Sequence, residues 1–215
     1  MSQLYEIDDP RPIAASAPYT YYLPAPALLR AIGNDDLVQA TIRSIPPSPK
    51  WDAERMWIKI TSADPEWLEG TLESMPSDMP NLSQGSIIRL PRSHVIDIIF
   101  ADPEKELISR GEPRREYWER CLVDQCVLDG KLPVHYLYRE TPDMGEASDK
   151  YPDSGWRIRG DMRGVSAEQL DARKSVYVAL GAVLNKDDSW IGLVDEPTGS
   201  AFEKDFESGT FVRLD

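Results

Sequence analysis

The stretch LVQATIRSIPPSPKWDAERMWIKIT, residues 37–61, decides how the first half of this chain folds. At its start Val38, Ala40 and Ile42 alternate with Gln39, Thr41 and Arg43; at its end Met56, Ile58 and Ile60 alternate with Arg55, Trp57, Lys59 and Thr61. Successive side chains of an extended strand point to opposite faces, so this period of two predicts two half-buried strands. Pro46-Pro47-Ser48-Pro49 between them reads as a loop, because proline withholds the donor that a central strand needs. Downstream, Trp67–Leu72 and Ser86–Leu90 read as shorter strands, and Val95–Phe100 puts Ile96, Ile98 and Phe100 on one side. Upstream, Leu28, Leu29 and Ile32 recur at helical spacing within Ala25–Ile32, with Pro26 tolerated in the first turn and Gly33 expected as a left-handed cap. Residues 1–18 show little periodicity and read as an irregular arm. Five short antiparallel strands after one helix predict a small curled, barrel-like sheet. Trp57 and Trp67 lie on strand faces that either meet solvent or roof the core.

The rhythm changes after residue 102. Asp102-Pro103 and Glu112-Pro113 are both helix-start patterns, and residues 103–120 read as a charged helical connector with a domain boundary near residue 110. Val134–Arg139 alternates; residues 140–155 read as a mobile surface loop, Trp156–Arg159 as a short strand. Ser166-Ala167-Glu168-Gln169 is a capping-box pattern opening a short helix. Tyr177–Leu184 reads as a helix closed by Asn185, Trp190–Val194 as a buried strand, and Phe211-Val212 as an edge strand. The expected class is therefore α+β: an irregular arm (1–18), a small antiparallel β-barrel-like domain (19–102), a connector (103–120) and an α+β domain (121–215).

Charge excludes some partners. The formal net charge is -13; residues 1–110 carry 16 acids and 10 bases, residues 111–215 carry 21 acids and 14 bases, so no single tail accounts for it. Such a surface repels phosphate backbones and argues against nucleic acid; it is the ordinary acidity of many soluble cytosolic proteins, or else an attraction for a basic protein. No apolar run is long enough to span a membrane. The start Met1–Glu6 lacks the basic and apolar regions of an export signal, so a cytoplasmic location is expected, with Cys121 and Cys126 as free thiols.

A search for chemistry returns no catalytic, metal or cofactor set. His94 and His135 stand in no zinc pattern, and the two cysteines are spaced wrongly for a zinc knuckle. A Cys126–His135 pair would make a nucleophile and base, but Val123–Leu128 is the apolar setting of an inert thiol. Ser200 lacks the second glycine of a nucleophile elbow and reads as a turn hydroxyl. Two charged constellations remain: Arg139-Glu140 with Arg157, Arg159 and Asp161, and Asp195-Glu196 with Glu203, Lys204 and Asp205. An Arg157–Asp161 ion pair, or turn-stabilising hydrogen bonds made by these two residues around Trp156, is the structural reading of the first. Trp156 is a core residue if buried and an interface anchor if exposed.

Val134–Glu140, Ser154–Arg157, Gly160-Asp161, Asn185 and Asp195–Asp205 together resemble the DUF2185 family, also described as the immunity protein Imm33 domain, over residues 121–215. Met162-Arg163-Gly164 stands where that family's run of acids is expected. Asp36-Leu37-Val38, Glu54–Ile60, Gly70-Thr71-Leu72 and Gly85-Ser86-Ile87 resemble the DUF2314 family over residues 19–100. The resemblance implies a bacterial, non-enzymatic binding protein of the immunity type, which silences a protein toxin without cofactor or metal. On that expectation Asp143, Glu146, Asp149, Trp156, Arg157, Asp161, Asp195, Glu196 and Glu203 form the partner-binding surface. Two alternatives stay open: a hydrolase-like enzyme using Asp161, Asp195 and Glu203 between the halves, and a regulatory adaptor that uses the small barrel as a peptide groove.

Overall fold

The computed structural model describes residues 5–47, 50–109, 114–146 and 148–214. The chain divides into two compact units, one of residues up to Ser16 with Tyr21–Arg114, the other of Ala17–Thr20 with Arg115 onward. The class is α+β, with a barrel-like first sheet, as the alternation predicts.

The first unit runs β1 (Tyr5–Ile7), α1 (Arg11–Ser16), α2 (Pro26–Ala31), β2 (Leu37–Ser44), β3 (Ala53–Ala63), β4 (Trp67–Leu72), β5 (Ile87–Pro91), β6 (Asp97–Ile99) and α3 (Pro103–Ser109). Strands β1 to β5 pair antiparallel in chain order, and β6 shares the β1 side of β2. The sheet curls until the Arg89 N–H on β5 donates to the Tyr5 hydroxyl on β1 at 2.9 Å. Val38, Ala40, Ile42, Met56, Ile58 and Ile60 are all buried in its core, the set that the period of two selects. Where β3 bulges between Ile60 and Ser62, a Cβ on Gly70 would stand 2.2 Å from the Lys59 carbonyl oxygen, so only glycine permits the approach.

Three expectations need correction in this unit. The supposedly irregular arm contains β1, whose register on β2 (Tyr5 opposite Ser44, Ile7 opposite Ile42) was invisible in three residues, and α1. Gly33 is not left-handed; Asp35 takes that conformation (φ 70°), and the Gly33 N–H donates to the buried Asp36 carboxylate. Neither Trp57 nor Trp67 roofs the core: Trp57 sits between inward Met56 and Ile58, and Trp67 is exposed with the Arg89 guanidinium 4.8 Å above its ring.

The second unit contains β7 (Arg120–Asp124), α4 (Gln125–Leu128), β8 (Val134–Arg139), β9 (Asp153–Gly160), α5 (Ala167–Asp171), β10 (Ser175–Ala179), α6 (Leu180–Leu184), β11 (Ala201–Lys204) and β12 (Phe211–Leu214). Its sheet has the order β10-β7-β9-β8-β11-β12, parallel only between β7 and β9. Trp156, Ile158, Leu137 and Phe202 from one sheet face pack with Val127 of α4 and Leu180, Val183 and Leu184 of α6. The capping box forms as predicted: Ser166 Oγ accepts from the Gln169 N–H, and the Gln169 side chain accepts from the Ser166 N–H. Strand β12 is the edge expected at Phe211.

Here too the structure amends the reading. The connector is helical only over α3; residues 110–113 lie outside the described residues, and 114–118 are not helical. Tyr177–Leu184 splits into the end of β10 and α6, because Val176 and Val178 pair across β7 before the chain turns. Trp190–Val194 is a short 3-10 turn around Ile191–Leu193, which buries Trp190 and Val194 on one side; a short apolar run does not distinguish the two. Asn185 closes α6 as expected, in the right-handed region (φ -64°), and its side chain accepts from the Tyr19 N–H and donates to Thr20 Oγ1, which ties residues 17–20 to this unit. Asp153, Ser154 and Gly155, read as loop, are buried in β9.

Candidate functional site

The face of the second sheet opposite its core concentrates the unit's chemistry. Trp156 and Ile158 point inward, so Arg157 and Arg159 point outward, and the register sets Tyr138 opposite Arg157 and Tyr136 opposite Arg159. Glu203 on β11 lies opposite Tyr136. On β8 the pairing slips between Val134 and Tyr136, so His135 is the extra residue of a bulge, and Val134 and Leu137 both reach the core.

Charged knots bound this face. Arg157 is 3% exposed; its guanidinium donates to both oxygens of Asp153 at 3.0 and 2.9 Å, to Asp143 at 2.8 Å and to Glu140. Burial pushes the Asp153 carboxyl up, but Arg157 and the N–H groups of Gly155 and Met144 outweigh it and hold the carboxyl below its ordinary value. The same bonds raise the Arg157 guanidinium above its own ordinary value. They also pin the loop after β8 at residues 143–144. Gly155 permits this with φ +79°, since a Cβ there would stand 2.1 Å from the Glu140 carbonyl oxygen. The second knot is buried Asp124, ion-paired with Arg159 at 3.1 Å and Arg173 at 3.2 Å. These arginines also donate to the carbonyls of Leu170, Gly160 and Asp161, which fixes α5 and its approach beside the sheet.

Between β8, β11 and α5 lies a groove of about 370 Å³ lined by Tyr136, Tyr138, Arg159, Met162, Leu170, Asp171, Glu203 and Leu214. Beside it His135 is almost buried. Its Nδ1 accepts the Met162 N–H at 3.0 Å and lies 3.6 Å from Asp161 Oδ1, its Nε2 lies 3.2 Å from Glu203 Oε1, and the Phe206 ring meets it edge-on at 5.1 Å. With one nitrogen accepting a backbone donor, this imidazole ties the 161–163 turn to the β11–β12 hairpin.

Two of the expected partner-binding residues are buried. Trp156 is fully buried, donating its indole N–H to the Val194 carbonyl at 3.1 Å, and Arg157 is enclosed by its carboxylates, so both leave the list of contact residues. The Arg157–Asp161 ion pair does not form, but the turn-stabilising bond does: Asp161 accepts the Arg163 N–H at 3.0 Å and pairs with the Arg163 side chain at 2.7 Å, and these hold its carboxyl at about 2. Asp143 pairs with Arg157 and Asp149 accepts the Glu146 N–H, and all three acids stay exposed. Asp195, lowered by its bond to Arg115, and Glu196, paired with Arg213 at 2.9 Å, lie together after the 3-10 turn. Of Asp161, Asp195 and Glu203, His135 brings the first and last together, while Asp195 goes to Arg115. The Ser200 hydroxyl is buried and accepts from Arg213 rather than from the local backbone. Cys121 is buried and its thiol is pushed up by desolvation, whereas Cys126, the cysteine read as a buried inert thiol, is only partly buried. Among the described residues no three His, Cys, Asp or Glu side chains converge on a metal position.

The reading from sequence missed Tyr136, Tyr138, Asp124 and Asp153 as site-forming residues. The signal for the tyrosines was the Val134–Arg139 alternation, which puts both on one strand face. No local pattern marks Asp124 and Asp153, whose partners are distant in sequence.

Residues 121–215 match the family described as the immunity protein Imm33 domain. No curated protein and no solved structure matches the chain.

Proposed function

Taking as premise that residues 121–215 form an immunity protein Imm33 domain, a kind of domain that binds a protein toxin, we propose that this chain is a non-enzymatic inhibitor that occludes a toxin inside the producing bacterium. The observation that carries this reading is the coincidence of the matched residues with a structural unit that has its own sheet and core. The partner is a protein, the site of action the cytoplasm, and the inhibition is steric, with acidic side chains set against a basic region of the toxin. Glu146, Glu168, Asp171 and Glu207 support the electrostatic part: each is exposed and in no ion pair among the described residues. A net charge of -13 draws a basic partner over distances of about a Debye length, some 8 Å at physiological salt.

The test takes the reading frame immediately upstream of the gene for this chain: a toxin-like product is expected there, and its absence counts against the reading. Co-expression is expected to restore growth, and the purified pair is expected to associate faster at low salt. Reversing Glu146, Glu168 and Glu207 to lysine is expected to slow association about tenfold at low ionic strength and to flatten its salt dependence. Failure to restore growth, with no complex formed by the purified proteins, rejects the reading. An unchanged association rate rejects electrostatic attraction through these carboxylates.

A further inference from the structure

The groove on the outer face of the second sheet has a definite chemical preference. Its floor is the Tyr136–Tyr138 pair, with ring centroids 5.6 Å apart and planes tilted by 32°. Leu170 and Leu214 supply aliphatic wall. Asp171 at the end of α5 and Glu203 on β11 supply two carboxylates, and neither pairs with a lysine or arginine among the described residues. Arg159 is the one cation in the lining, and its guanidinium is already committed to Asp124, which is fully buried, and to the Leu170 carbonyl at 3.0 Å. A cation with a hydrocarbon stem satisfies each of these features: aromatic faces attract the charge, apolar walls take the stem, and the carboxylates accept its N–H groups. An anionic side chain would meet the same two carboxylates, with His135 beside Glu203 and the guanidinium of Arg159 already bonded to Asp124 and Leu170. The volume of about 370 Å³ stands near the lower end of ligand pockets and suits a single long side chain.

We propose that this groove is the anchor point of the toxin-binding surface and receives an arginine or lysine side chain of the bound protein, its stem across Tyr136 and Tyr138 and its head between Asp171 and Glu203. This rests on the toxin-binding reading for the identity of the partner, but the preference for a cation belongs to the groove itself.

The experiment therefore has two arms. In the first, the full chain carrying ring-labelled tyrosine is titrated with N-acetyl-arginine amide, with N-acetyl-norleucine amide and N-acetyl-aspartate amide as neutral and acidic controls, and followed by NMR. Saturable shifts confined to Tyr136 and Tyr138, seen with the arginine compound alone, are expected. Asp171→Asn with Glu203→Gln is expected to weaken that binding about tenfold. Asp171→Asn alone, at an exposed position with no ion pair to lose, is expected to weaken it about threefold and guards against misfolding of the double variant. Equal shifts with norleucine, binding of the acidic compound, or undiminished binding by both variants would overturn the proposal. In the second arm the purified toxin replaces the probe. If wild type binds no toxin while the arginine compound still binds, the reading under Proposed function fails and the groove's preference stands. If wild type and the double variant bind toxin equally well, the groove fails as the anchor and the reading stands.

Discussion

The two units bury their sheets by different means. Among the described residues the first hides two polar side chains, Asp36 and Ser44; the second hides six, Asp124, His135, Asp153, Ser154, Arg157 and Ser200. Asp36 sits at a strand end and accepts from two backbone N–H groups and Lys105. Arg157 and its carboxylates are instead part of the second sheet's own outer layer. The first unit is thus organised by the hydrophobic term, which is nondirectional and tolerant. In the second, buried charges depend on one another's position, and removing one leaves its partner desolvated. The difference teaches that the second sheet orients buried charged groups on its own strands, where the first keeps its buried carboxylate at a strand end.

Removing a guanidinium is the severest way to break this comparison. Arg157→Met leaves Asp153 buried without its cation and is expected to destabilise the second unit by about 3–5 kcal/mol. Hydrogen exchange should then accelerate in β7, β8 and β9 while β2 and β3 keep their protection. Adding Asp153→Asn, which removes the orphaned charge, should recover part of the loss. Equal acceleration in both sheets would mean that the units do not differ in this way.

The matching change in the first unit is Ile58→Ala. Ile58 is fully buried, so the expected loss is about 2–5 kcal/mol, with exchange accelerated in β2, β3 and β4 only. Ile58→Val should lose only about 1 kcal/mol, as a tolerant apolar core requires. A conservative change that unfolds the unit outright would show that its core is no more forgiving than the Arg157 cluster. Guanidine denaturation of both variants measures the pair.

The same contrast explains what could be read from the chain. The alternation of Val38, Ala40, Ile42, Met56, Ile58 and Ile60 is local and survives without knowledge of partners, so β2 and β3 were legible to within two residues. Strand β1 was not, because three residues carry no period and its reason for being a strand lies in β2. In the second unit the capping box was legible because it closes within four residues. Asp153 and Asp124 were not, since the meaning of a buried carboxylate lies in arginines brought to it by pairing between β7, β8 and β9. Trp156 was expected on the partner-binding surface and is core instead, a choice that only its burial decides. The resemblance of residues 19–100 to DUF2314 rests on sequence motifs alone.

A smaller effect sharpens the picture at α5, which walls the groove. Ser166→Ala removes the cap acceptor for the Gln169 N–H and is expected to destabilise this helix by about 1 kcal/mol. Because Arg159 and Arg173 also hold the segment, the loss should show as faster exchange at residues 166–172 with little change in the global transition. A shift of the whole unfolding curve by more than that amount would make the helix an integral part of the second core.

The smallest expected effect compares two nearly identical pairs, one in each unit. Asp9 with Arg11 and Asp161 with Arg163 are both two residues apart, and in each the arginine side chain is the main cause that holds the carboxyl at about 2, against an ordinary value of 3.8. A carboxyl depressed in the folded state contributes stability that is complete above its unfolded value and fades as pH falls from about 4 toward 2. Both pairs should therefore steepen the acid limb of stability and do nothing above pH 5. Their partners are solvent-exposed, so each contribution stays below about 1 kcal/mol. Asp161 is the less exposed, 17% against 34% for Asp9, and lies beside His135. Asp161→Asn should then flatten the pH 2–4 limb of urea-denaturation stability more than Asp9→Asn does. The reverse order would locate the stronger short-range electrostatics in the first unit, and the asymmetry between the units would then be confined to their buried charges.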